Sequence, residues 1–205
     1  MRFASHFLFA AAALAALPGV VQAQSPANPA PAAAQGGTYK VESSHTRVNF
    51  TVNHFGFTDW YGDFANATGT LELNPKAIGT SKVDITIPVA SVSTTNAKLD
   101  EELKSPMFLD AAKYPEIHFV SKQVVRTGPR TARILGELSF HGVTRPVVLE
   151  ASFNAGGVNP MDKAYTLGFN ATAKFKRSDF GVKTYVPVVS DEVTLRISAA
   201  FEKQN

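Results

Sequence analysis

The last two apolar segments of this chain alternate without a break, and that pattern limits the fold more than any other feature. Residues 164–176 read AYTLGFNATAKFK, with Tyr165, Leu167, Phe169, Ala171, Ala173 and Phe175 on one face. Thr166, Asn170, Thr172, Lys174 and Lys176 lie on the other. Residues 192–203 repeat the scheme through Val193, Leu195, Ile197, Ala199 and Phe201. A period of two is the mark of a half-buried strand. At about 3.3 Å per residue the first segment spans roughly 40 Å, about twice an ordinary strand. Strands this long, with few helices to cover them, are expected to close into a barrel. A strand tilt of roughly 40° sets its height at about 30 Å.

The start of the chain has a different character. Arg2 precedes an apolar run from Phe7 to Leu17, and Val21-Gln22-Ala23 ends it with small residues. Residues 1–23 therefore read as a secretory signal peptide, with cleavage expected after Ala23. Residues 24–37, QSPANPAPAAAQGG, carry Pro and Ala and no charge, and are expected to form a disordered tether. Residues 38–205 form the folded domain, long enough for a full core. The chain has no cysteine, so a disulfide framework is excluded and the core must suffice. The formal charge is +3 for the full chain, and loss of Arg2 with the leader makes it +2. Basic residues are dispersed, so no nucleic acid is expected as a partner.

Strands are expected over 47–54, 64–73, 82–89, 116–125, 132–141 and 145–154 besides the two long segments, about eight in all. That number suits a barrel holding one small ligand. A parity slip near Thr68–Thr70 points to a bulge. FGFTDWYGDF, between the first two strands, reads as a loop rich in aromatics. The helical stretch is 93–113: Asn96 or Thr95 caps a helix with Asp100 early and Lys104 late, an order that suits the helix dipole. Pro106 opens a second short helix.

Chemical machinery is scarce. His45, His54, His118 and His141 show no metal-ligand spacing, and no thiol is present, so no metal is expected. Ser44 and His45 are neighbours, but adjacent strand residues face opposite sides, and there is no GxSxG elbow. His54 shares the parity of Phe50 and Val52 and points inward near a barrel end. Residues 177–181, RSDFG, read as a charged latch closing one end or as a polar contact for a ligand headgroup. Phe55, Phe57, Trp60, Tyr61 and Phe64 read either as a core or rim cluster or as a pocket mouth. Parity alone does not separate a filled barrel from a hollow one.

Four ordered segments carry a family likeness. SSHTRVNFTVNHFGFTDWYGDF, SPMFLDAAKYPEIHFVSK, GELSFHGVTRPVVL and FKRSDFGVKTY with VSDEVTLRISAAFE resemble the YceI-like family of polyisoprenoid-binding, lipocalin-like exported proteins. Together they extend over nearly all of 39–202. The resemblance implies an all-β fold, an antiparallel eight-stranded lipocalin-like barrel with one or two short inserted helices. It also implies a polyisoprenoid, isoprenoid quinone or fatty acyl chain held inside, with roles in transport, storage, quinone metabolism or stress response in the bacterial periplasm. Glu42 stands where the family commonly has Asp.

The expected function is thus a periplasmic carrier of an apolar lipid, with no catalytic residues and no cofactor beyond the bound lipid. Inward parity nominates Phe50, Val52, Ile85, Ile87, Phe119, Leu138, Phe140, Leu167 and Phe169 as lining residues. Leu99, Leu103, Met107 and Phe108 are expected to form a lid. Two further partners stay open, a transient inner-membrane contact and a homodimer. Two rival functions also stay open: an enzyme acting on a lipid through His45 or His54, and a filled barrel serving protein interaction or stress response.

Overall fold

The computed structural model describes residues 25–204; the expected signal peptide lies outside them. Nine strand segments wind into one closed antiparallel wall. They are β1 (Gly37–His54), β2 (Thr58–Phe64), β3 (Thr68–Leu73), β4 (Lys82–Pro88), β5 (Glu116–Arg126), β6 (Thr131–Phe140), β7 (Val143–Val158), β8 (Tyr165–Lys176) and β9 (Glu192–Lys203). Each pairs with the next from β3 onward, and β9 returns to β1. The first half of β1 pairs with β3 and the second half with β2. These two segments therefore fill one position in the wall, and the barrel has eight staves, the number expected.

β1 begins ten residues before the strand expected at Arg47. Its alternation is broken by a bulge between Glu42 and Arg47, where the register with β9 shifts. The bulge has its own fastener. The Glu42 carboxylate accepts from the Ser44 amide and hydroxyl and from the His45 amide and Nδ1. Burial pushes this carboxyl up, but those hydrogen bonds outweigh it and hold it at about 2.

The aromatic loop is a second correction. Thr58–Phe64 is strand, and the turn is confined to the residues around Phe55–Phe57. Trp60, Gly62 and Phe64 share its inner face, and Gly62 hides the alternation. A Cβ there would lie 2.3 Å from Cζ of Phe50, so the phenyl ring fills the place of the missing side chain. Gly136 does the same for Phe119, with 2.4 Å to its Cζ. At these two points a ring lies back against the wall instead of standing in the interior.

Helix α1 (Ala97–Lys104) crosses between β4 and β5, capped by Asn96, whose side chain accepts from the Leu99 amide. The second helix expected from Pro106 does not form. Residues 106–113 make turns, held by the Leu109 amide on the Leu103 carbonyl and the Ala111 amide on the Lys104 carbonyl. Among the described residues no helix is long and apolar enough to cross a membrane.

The core divides along the barrel. At one end Tyr39, Leu71, Phe153, Leu167 and Phe201 pack together. Tyr39 and Leu167 are fully buried, and burial followed by the neighbouring Tyr165 raises the Tyr39 phenol to about 12. The stretch expected to be a tether is seated on this end. Asn28 exchanges both backbone hydrogen bonds with Gly156, and the Tyr39 hydroxyl donates to the Gln35 carbonyl at 2.6 Å. Lys203 Nζ donates to Gln35 Oε1 at 2.6 Å. The second, larger cluster extends from mid-barrel to α1 and the loop after β8.

Candidate ligand-binding cavity

The interior is not filled. A cavity of about 280 Å³ runs between the strands, close to the lower end of small-molecule pockets, roughly 300–1,000 Å³. Every long strand contributes inward residues: Val48, Phe50 and Val52 from β1, Val83, Ile85 and Ile87 from β4, Ile117 and Phe119 from β5. β6 adds Ile134, Leu138 and Phe140, β7 adds Val147, Leu149 and Ala151, and β8 adds Phe169, Ala171 and Phe175. All five alternating residues of β9, from Val193 to Phe201, face it.

Thr46 and Arg177 are the two polar side chains on this wall, and both are turned toward backbone. Thr46 Oγ1 donates to the Glu42 carbonyl and accepts from the Ala200 amide. Arg177 is buried, and its guanidinium donates to the carbonyls of Val182, Thr184, Val189 and Ser190 at 2.8–3.1 Å. Burial lowers its pKa, with the Asp191 charge opposing. The loop it gathers follows directly on the RSDFG segment read as a latch. Asp191 receives the Ser178 amide and hydroxyl, whereas Asp179 is exposed. Burial raises the Asp191 carboxyl, but the Ser178 bonds outweigh it and lower its pKa. Gly181 sits at φ +83°, where a side chain is strained.

The candidate residues fall into two groups. Phe50, Val52, Ile85, Ile87, Leu103, Phe108, Phe119, Leu138, Phe140 and Phe169 are brought together around the cavity. Leu99, Met107 and Leu167 are not. Leu167 does point inward, but it belongs to the packed end. Met107 is 48% exposed and faces out, while its neighbours Phe108 and Leu109 face in. Leu99 is half-buried on α1 and does not reach the cavity. Sequence reasoning missed Arg177 as a wall residue. Its signal was position: a lone arginine directly after a long alternating strand.

Among the described residues no histidine is on the cavity wall. His45 is on the outer surface, with its side chain 78% exposed. Ser44 Oγ and Glu42 both address its Nδ1, whereas a relay needs partners on opposite ring nitrogens. His141 donates from Nδ1 to the Phe180 carbonyl, and His118 Nε2 meets Asp84 at 2.7 Å on the outer surface. Among the described residues no group of His, Cys, Asp and Glu is placed to hold a metal.

Beyond the cavity, one end of the barrel carries exposed apolar side chains. Phe55, Phe57 and Tyr61 come from the β1–β2 hairpin, Met107 from the turns after α1, and Tyr185 and Val188 from the loop after β8. These elements touch. The Phe55 amide donates to the Val188 carbonyl, the Thr184 hydroxyl to the Met107 carbonyl, and the rings of Phe108 and Tyr185 are 5.9 Å apart.

A closed eight-stranded wall around an apolar cavity defines a lipocalin-like barrel. The YceI-like domain matches residues 39–201, and the chain belongs to that family. Protein YceI of Escherichia coli O157:H7 is 40% identical over 162 residues, which cover 78% of this chain and 84% of that protein. A UPF0312 protein of Pseudomonas savastanoi pv. phaseolicola is 38% identical over 161 residues, covering 78% and 82%. Among solved structures, BcnA of Burkholderia cenocepacia superposes with a TM-score of 0.71 at 21% identity, over 78% of this chain and all but 2% of its own. A polyisoprenoid binding domain from Saccharophagus degradans, implicated in plant cell wall breakdown, gives 0.61 at 12% identity, over 83% of this chain and 100% of its own. At those identities the two structures speak to the fold.

Proposed function

We propose that this protein is a periplasmic carrier that sequesters a long apolar chain, a polyisoprenoid, isoprenoid quinone or fatty acyl lipid, inside its barrel. One observation carries the reading: the cavity wall is apolar except for Thr46 and Arg177, and both of those are bonded to backbone. Such a wall offers nothing to a polar metabolite. Each methylene buried in it contributes about 0.8 kcal/mol, so one isoprene unit contributes on the order of 3 kcal/mol before the cost of immobilising the chain. The polyisoprenoid binding domain of Saccharophagus degradans, on the same fold, supports this ligand class. The signal-peptide pattern of residues 1–23 supports export. The exposed apolar side chains at one end support transient contact with the inner membrane, where such a ligand resides. No reaction is assigned.

The test is gentle purification from the native periplasm, followed by mass spectrometry of the intact protein and of its organic extract. The expected result is a mass excess matched by one lipid in the extract. Protein that emerges bare, and that binds no apolar lipid on titration, overturns the reading.

A further inference from the structure

A ligand with a polar head needs somewhere to put it, and the cavity wall itself provides no such place. One corner next to the wall does. Trp60 lies opposite Val52 in the β1–β2 register. Directly opposed residues share a face of the sheet, and Val52 lines the cavity. The indole Nε1–H is buried and has no hydrogen-bond partner among the described residues. Indole can only donate, and an orphaned buried donor is costly. Among the described residues it is the one buried side-chain nitrogen or oxygen left without a partner.

Its surroundings narrow what that something is. The His54 ring is 6.0 Å from the Trp60 ring and makes no hydrogen bond of its own among the described residues. His54 bridges to Val189, whose carbonyl accepts from Arg177 Nη2 at 2.9 Å. Arg177 therefore brings a buried positive charge to the same corner, and it forms no ion pair among the described residues. The side chains nearest the indole are thus a donor-rich guanidinium and an imidazole, while the Asp191 carboxylate is taken up by the Ser178 amide and hydroxyl.

The geometry points to this corner as the head-group subsite. Trp60 Nε1–H receives an acceptor oxygen on the end of the bound chain, of the carbonyl type carried by a quinone, ketone or ester. His54 is the adjacent second contact. An ammonium head has no lone pair with which to accept from the indole N–H. This inference rests on the carrier reading and adds the chemistry of the ligand's polar end.

Trp60 is the only tryptophan of the chain, so its emission reports on this corner alone. The full mature protein, stripped of lipid, is titrated with heptadecane, 2-heptadecanone and 1-aminohexadecane delivered from cyclodextrin. The ketone is expected to bind about tenfold more tightly than the alkane, the worth of one hydrogen bond to an orphaned donor. It is also expected to shift the Trp60 emission where the alkane does not, and the amine is expected to bind worst. In Trp60→Phe, followed by calorimetry, the ketone-to-alkane ratio should fall to within twofold. Equal affinities for ketone and alkane in the wild type overturn the head-group subsite and leave carriage standing. So does a ratio that survives in Trp60→Phe. If none of the probes binds, carriage itself falls and this inference with it. Should Trp60→Phe fail to fold, the wild-type ratio and emission decide alone.

Discussion

At one end of the barrel Tyr39 and Leu167 are fully buried, while at the other Phe57 is 87% exposed. The residue types are alike, and what differs is what lies beside them. At the packed end the strand side chains meet one another, and residues 26–36 run over them. Gln35 ties that stretch to Tyr39 and Lys203. At the other end α1 and two loops meet edge to edge, and six large apolar side chains stay outside. At the packed end the exposed large apolar side chains are Val158 and Met161, around the β7–β8 turn, and no aromatic ring is among them. Exposed aromatic groups at a single end mark an interaction surface, which the carrier proposed above would use as its doorway.

Three substitutions probe this contrast, in falling order of effect. Leu167→Ala at the packed end should cost about 3 kcal/mol through lost burial and a residual cavity. That corresponds to a fall in Tm of about 6–12 °C for a domain of this size, read by thermal unfolding. A cost below about 1 kcal/mol would mean that this end is not the filled one. Glu42→Gln tests the joint where β1 passes from one half to the other. It should cost about 1–2 kcal/mol near neutral pH by weakening the bonds to Ser44 and His45. The sign follows from a carboxyl held at about 2, below its ordinary 4.5. The stabilisation is present above pH 4.5 and is lost as pH falls toward 2. Wild type and variant should therefore converge in acid, as denaturant titrations across pH would show. Phe57→Ser at the open end should move stability by less than about 0.5 kcal/mol while slowing lipid uptake from vesicles several-fold. Unchanged uptake would remove the doorway.

How much of this was legible in the sequence depended on whether the alternation survived. β8 and β9 carry an unbroken period of two, and their inward residues could be read directly. β2 carries it too, but Gly62 occupies an inward position because the Phe50 ring needs the space. A missing side chain looks like a turn until its partner is known. The first half of β1 was hidden by the Glu42–Arg47 bulge for the same reason. Among the candidate lining residues parity gave the direction but not the height along the barrel, so Leu167 pointed correctly into a region that is filled. Met107 and Phe108 show the limit of composition in turns: both are apolar, and only the backbone path decides which one faces in. The hollow interior was beyond parity altogether, since it depends on how far opposing side chains reach across the barrel.

The seam between β1 and β9 has a consequence in time as well as in space. Thr46 and Ala200 are bonded across it from positions 154 apart in sequence. Hairpins from β3 through β9 can form locally, but the seam joins the two extremes of the fold and carries the entropy of the longest loop. Until residues 192–203 arrive, β1 has no partner on that side, and the apolar residues of β4 to β8 form an open trough. Closure of the interior therefore depends on both extremes of the fold at once.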